Sequence, residues 1–210
     1  MSSCAGPLAL IPWGPLLTAA LSSRAGDSET QQVLNEYQRK GDWAGLARYA
    51  AERLGANRRD SDWWLVLGYA RLQQGDRAAA AEAFTRVTEL NPEDIDGWNL
   101  LAETQRLAGQ PGRAARTLLQ AMSIDSSSPV SPYLLGEAYR DDGQFDASIN
   151  AYRRSMQLEP DSAPAWYGLG ITLIRLGRRE ELAEVIGGLR KIEPALAGEL
   201  EKLGRQAVLK

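Results

Sequence analysis

The chain has 210 residues, 44% of them hydrophobic and 24% charged, with a formal net charge of −3 and an isoelectric point near 5.2. That is material for a folded core, and it gives no basic footprint for nucleic acid. There is no histidine and a single cysteine, Cys4, which excludes an intramolecular disulfide and any cysteine-based zinc site. Ordinary hydrolytic, redox and metal chemistry therefore has almost no material here. No catalytic residue, metal ligand or cofactor is assigned, and the chain reads as non-enzymatic.

Residues 1–26 differ in character from everything after them. Leu8 to Leu21 is apolar but interrupted by Pro12, Gly14 and Pro15. A membrane-spanning helix needs about 20 consecutive apolar residues, and prolines in mid-run oppose helix, so no span is expected. Two readings stand. One is a signal peptide with Ser23-Arg24-Ala25 as a small-x-small cleavage site, although no Lys or Arg precedes the apolar run. The other is an apolar arm that lies on the helical body, on a partner or on another copy of the chain. The first implies an exported, periplasmic-type protein and the second is compatible with the cytoplasm. Cys4 has no neighbouring base and reads as an incidental thiol.

From residue 27 onward the same landmarks return at a fixed step. Trp64, Trp98 and Trp166 are separated by 34 and then 68 residues, and Gly75, Gly109, Gly143 and Gly177 are each 34 apart. Pro92, Pro160 and Pro194 keep the same phase. Within 61–94 the order Trp64, Leu67, Gly68, Gly75, Ala80, Phe84, Leu90, Pro92 resembles the tetratricopeptide repeat (TPR), whose pattern is W-x2-L-G-x2-Y, then A-x3-F, then P. The resemblance implies an all-α solenoid of helix-turn-helix units, a right-handed superhelix of about five repeats closed by a C-terminal helix.

In chain order, residues 27–60 form a degenerate first repeat. Tyr37, Gly41, Asp42 and Trp43 sit in phase, but Leu34 replaces the small residue and Arg58 the closing proline. Terminal repeats are expected to be atypical because one face meets solvent. Residues 61–94, 95–128, 129–162 and 163–194 are the clear repeats. Each places a small residue at the eighth position of its first helix, helix A: Gly68, Ala102, Gly136 and Gly170. Small side chains there let helices A and B approach within the 8–10 Å of intimate packing. The phased glycines end helix A, and the prolines end helix B. Ser131-Pro132 predicts an N-cap followed by proline at the first helical position. The run Ser126-Ser127-Ser128-Pro129 predicts a loosened entry to the third clear repeat. Residues 195–210, with Glu199, Glu201, Lys202 and Arg205 on a polar face, read as a capping helix.

In the family this pattern resembles, partners bind as extended or helical peptides on the concave wall lined by helix A. The positions so implied are Leu65, Tyr69 and Leu72, then Asn99, Glu103 and Arg106, then Tyr133, Glu137, Arg140 and Asp141, and last Tyr167, Ile171, Ile174 and Arg175. Glu103 and Arg106, like Glu137 and Arg140, are three apart and so share one side of a helix, where they can pair with each other. That leaves the tyrosines as anchors, since tyrosine offers apolar area and a hydroxyl at low entropic cost. Against this, leucine and isoleucine at these positions also serve to pack neighbouring helices. The chaperone-tail clamp of the family is not expected, because its positions hold Leu65, Tyr69, Leu100, Val130 and Leu134. The expectation is a protein-binding scaffold that takes a peptide or amphipathic helix. Its alternatives are an exported envelope assembly factor of the pilus or cytochrome maturation type, and a self-associating structural module.

Overall fold

The computed structural model describes residues 28–208; the N-terminal segment with its two readings, and Cys4, lie outside the described residues. Among those residues the chain forms eleven helices and nothing else regular. They are α1 (Ser28–Lys40), α2 (Trp43–Ala56), α3 (Ser61–Gln73), α4 (Arg77–Leu90), α5 (Ile95–Leu107), α6 (Pro111–Ile124), α7 (Val130–Asp141), α8 (Phe145–Leu158), α9 (Ala163–Leu176), α10 (Arg179–Ile192) and α11 (Pro194–Val208). Odd numbers up to α9 are A helices, even numbers are B helices, and α11 follows the last pair. The fold class is the all-α, helix-turn-helix class that the repeat implies.

The turn from A to B is built the same way five times. Gly41, Gly75, Gly109, Gly143 and Gly177 have φ of 64°, 80°, 76°, 77° and 70°, a region L side chains rarely enter. At each, the glycine N–H donates to the carbonyl three residues back and the next N–H to the carbonyl five back, as at Gly75 to Leu72 and Asp76 to Arg71, both 3.0 Å. These two bonds satisfy carbonyls that the helix end would otherwise leave open. Asp42 and Asp76 then cap the following B helix, accepting from the amides of Gly45 and Ala79 at 2.8 and 3.1 Å.

The turn from B to A is held by the phased tryptophans. The indole N–H of Trp64, Trp98 and Trp166 donates to the carbonyl six residues earlier, that of Arg58, Pro92 and Pro160, at 2.9, 2.8 and 2.7 Å. A large residue at the fourth position therefore does more than fill space: it closes the preceding B helix.

The third clear repeat has Pro132 at that position and departs from the expected start. Its A helix begins at Val130 with Pro129 as the cap, so Ser131 is not the N-cap but lies fully buried inside the first turn. The carbonyl of Pro129 already accepts from the amide of Tyr133 at 3.3 Å, which starts the helix two residues early. The serine run before it is pinned rather than loose. Asp125 accepts from the amide and hydroxyl of Ser127 at 2.7 and 2.6 Å, Ser155 donates to the carbonyl of Pro129 at 2.9 Å, and Arg154 to that of Ser126 at 3.3 Å.

The residues fall into two compact units, one running to Thr104 and the other starting at Gln105. In the first, Leu34, Leu46, Leu65, Phe84, Val87 and Leu100 form one buried cluster. The ring of Phe84 fits because Gly68 has no side chain, since a Cβ there would lie 2.7 Å from it. In the second unit, consecutive helices from α6 to α11 pack in order, and α7 with α9, and α9 with α11, also touch. Those extra contacts bring successive A helices, and α11 after them, to one side. Leu200 of α11 occupies the space left by Gly170.

Candidate functional site

Helix α7 presents Tyr133, Glu137 and Arg140 on one side, because residues three and four apart share a helix face. The guanidinium of Arg140 forks onto the Glu137 carboxylate, with Nη1 to Oε1 at 2.8 Å and Nη2 to Oε2 at 2.6 Å. Bidentate pairs of this kind fix both partners. Tyr152 comes up from α8 behind them. Its phenol donates to Glu137 Oε1 at 2.5 Å, and Arg140 Nη1 donates to the phenol oxygen of Tyr152 at 3.3 Å.

Two glycines make room for that tyrosine. A Cβ at Gly136 of α7 or at Gly168 of α9 would sit 2.6 or 2.7 Å from its ring. The ring is fully buried, and burial, followed by the charge of Glu137, pushes the phenol well above the usual tyrosine range. It stays protonated and can only donate to the carboxylate.

Further polar ties extend the network. Arg106, near the end of α5, donates to Asp141 at 2.5 Å. The phenol of Tyr167 on α9 donates to Glu199 of α11 at 3.0 Å, and burial together with Glu199 pushes it up to about 12. Tyr133, half-buried, holds its ring 6.1 Å from that of Tyr152.

The charges at the centre of this face are thus paired with one another. Arg140 answers Glu137, and Arg106 answers Asp141, with side-chain exposures of only 24%, 13%, 13% and 35% respectively. What remains accessible is the ring of Tyr133, the side chains of Ile171 and Ile174, both half-buried, and Arg175, which is exposed. The surface is apolar and aromatic with a fixed, neutralised polar centre.

The first unit places the remaining expected residues differently. Leu65 is fully buried among Leu46, Phe84 and Leu100, so its role is core packing and it has no surface to offer a partner. Tyr69 is 6% exposed because Trp43 packs edge-on against it, ring centroids 5.5 Å apart. Asn99 and Glu103 are buried, while Leu72 is half-buried. Tyr167 in the second unit is also buried. The repeat positions expected to face a partner include neither Tyr152 nor Glu199, which the sequence places as a helix-B packing residue and on the polar face of the capping helix. Tyr152 stands where other repeats carry Phe84 and Leu118, and a hydroxyl at an otherwise apolar position was the signal available for it.

Family profiles match two stretches: one described as tetratricopeptide repeat covers residues 65–129 and one described as TPR repeat covers 136–177, together about half of the chain. Solved structures agree in fold. A crystal structure of MamA superposes with a TM-score of 0.70 at 21% identity, covering 79% of this chain and 97% of that one. MamA 41-end from Desulfovibrio magneticus RS-1 gives 0.70 at 22% identity, covering 79% and 93%. YrrB, described as a TPR protein with an unusual peptide-binding site, gives 0.65 at 17% identity, covering 89% and 97%. At these identities the likeness concerns the fold. No curated protein matches the chain in sequence.

Proposed function

The chain belongs to the tetratricopeptide repeat family, and from that premise we propose that it is a non-enzymatic scaffold holding a peptide or amphipathic helix of another protein. Family members generally serve as protein-interaction scaffolds. The specific reading concerns the A-helix side of the second unit, where Tyr133, Ile171, Ile174 and Arg175 receive the partner around the fixed Glu137–Arg140 pair.

One observation carries this reading: the internal neutralisation of the polar centre. A rim of charges open to solvent would select a charged tail, whereas paired charges flanked by accessible apolar side chains select apolar anchors and backbone hydrogen bonds. The peptide-binding description of YrrB is consistent with it at the level of fold. Arg106 and the buried Tyr167 support the wall in this reading, whereas Leu65, Tyr69, Leu72, Asn99 and Glu103 belong to the first unit and are not part of it.

The test is a comparison of partner recovery by the wild type and by a Tyr133→Ala, Ile171→Ser, Arg175→Glu triple variant. These three side chains lie outside the buried core, so helix content should persist while recovery falls at least tenfold. Equal recovery with intact helix content would remove the assignment of this face.

A further inference from the structure

We propose that the exposed side of α6, in the second unit, is a further protein-binding surface fitted to an acidic amphipathic helix. It lies on a B helix and does not rest on the assignment of the A-helix side.

The first ground is charge. Among the five B helices α6, PGRAARTLLQAMSI, is the one without an aspartate or glutamate. Arg113 and Arg116 are both exposed on it and, three apart, share a helix face. Arg154 of α8 adds a cation at the far end, where its guanidinium donates to the carbonyl of Ser126 at 3.3 Å. Arg113 donates to the side-chain carbonyl of Gln110 at 2.9 Å, and none of the three forms an ion pair with a described residue. The acids around them are engaged elsewhere. Asp125 accepts from Ser127 and Asp142 from Gln144, while Asp146 faces Arg178 at 3.3 Å and Glu181 faces Arg153 at 2.7 Å.

The second ground is a leucine set among those cations. Leu119 follows Arg116 by three residues on the same side and is 48% exposed, against 38% for Leu90 and Leu176. The equivalent position of the other B helices holds Ala51, Thr85, Arg153 and Gly187, so the repeat itself asks for no apolar bulk there. The buried side of α6 is already filled by Ala114, Ala115, Leu118 and Ala121. Leu119 leaves water only when something covers it from outside.

Charge and apolar contact together choose the partner. From Arg113 to Ile124 the surface runs roughly 17 Å, about three helical turns. A partner helix with an apolar side chain, flanked one turn away on each side by Asp or Glu, sets that side chain on Leu119 and its acids on the arginines. A phosphate backbone has nothing apolar to place against Leu119. An anionic membrane acts on the whole chain, whose net charge of −3 opposes it.

The experiment selects phage-displayed random peptides, long enough for four helical turns, on the immobilised full chain. The expected winners include a class with Asp or Glu one turn either side of an apolar residue. An Arg116→Glu, Arg154→Glu variant should retain that class at least tenfold less, and should select Lys or Arg at the same places from fresh library. Leu119→Ser should cut its retention at least fivefold, with helix content unchanged in both variants, whereas Ile171→Ser should leave retention unaltered. Absence of the class, or its equal retention by the charge-reversed variant, would overturn the proposal. Winners lost only with Ile171→Ser would overturn it too, while leaving the A-helix assignment standing. Two other occupants would have the same effect: phosphatidylserine vesicles whose binding the charge reversal abolishes, or a second copy of the chain whose association in light scattering Leu119→Ser abolishes.

Discussion

The phenol of Tyr152 and the carboxylate of Glu137 are joined by a 2.5 Å hydrogen bond that ties the core of the second unit to its A-helix face. A bond from a buried donor to a charged acceptor is worth about 1.5–3 kcal/mol. Tyr152→Phe keeps the ring between Gly136 and Gly168 and removes only that bond. The expected loss of stability is about 2 kcal/mol in chemical denaturation, with most of it absent when Glu137→Gln is already present. A loss under about 0.5 kcal/mol would show that the bond does not contribute as its burial implies.

Gly187 and Gly188 are neighbours on α10 with opposite surroundings. A Cβ at Gly187 meets nothing within 4 Å, whereas one at Gly188 would lie 2.3 Å from the ring of Trp166. Gly187→Ala should stabilise the protein by up to about 1 kcal/mol through helix propensity. Gly188→Ala should destabilise it by about 1–3 kcal/mol through overpacking. Melting temperatures that shift in the same direction would contradict this account of the α9–α10 contact.

Trp166→Phe retains an aromatic ring and deletes the indole bond to Pro160. The expected cost is about 1 kcal/mol, and hydrogen exchange should rise at the end of α8 and the start of α9. The same pattern is expected at Trp64 and Trp98, each at its own turn. Faster exchange spread evenly over the unit would argue against a local cap.

Alkaline stability follows from the tyrosines. Tyr167 is pushed up to about 12, and Tyr69 and Tyr152 are raised in the same direction, chiefly by burial. A tyrosine in the unfolded chain ionises near 10. Above that pH the unfolded state releases protons that the folded state keeps, so stability falls as pH rises from about 10 toward 12. Below about 10 the contribution of these groups is complete. Of the seven tyrosines, those three should remain un-ionised in an ultraviolet titration at about pH 11 while the fold persists. Tyr167→Phe should make the alkaline loss of stability shallower.

The architecture was legible because the repeat states it several times over. Five turn glycines in one phase, with small residues at Gly68, Gly136 and Gly170, dictate helix pairs at fixed spacing, and the structure uses each of them as that pattern requires. Departures occur where a residue has two uses. Ser131 reads locally as a cap, yet Pro129 takes that role because its carbonyl already receives the amide of Tyr133.

The site was legible only in part, for a related reason. Helical periodicity tells which side of α3 or α7 a residue occupies, but how far a neighbouring helix covers that side depends on tertiary packing. Leu65 and Tyr133 share a repeat position; the first is closed over by the core and the second is half-buried. Hydrogen bonds between repeats, such as Tyr167 to Glu199 across 32 residues, leave no local pattern to read. The hydroxyl of Tyr152 was visible as an oddity and acquired meaning only beside Glu137.

The central claim, a partner seated on the A-helix side of the second unit, is tested most directly by placing a photo-crosslinker at one site at a time in the otherwise native chain. Ile171 lies on that side of α9, and Arg153 lies on α8, exposed to solvent and away from it. The account predicts that a crosslinker at Ile171 joins a specific protein, that this adduct disappears in the Tyr133→Ala, Arg175→Glu background, and that a crosslinker at Arg153 does not form it. The same adduct from both sites, or one from Arg153 alone, would contradict the account.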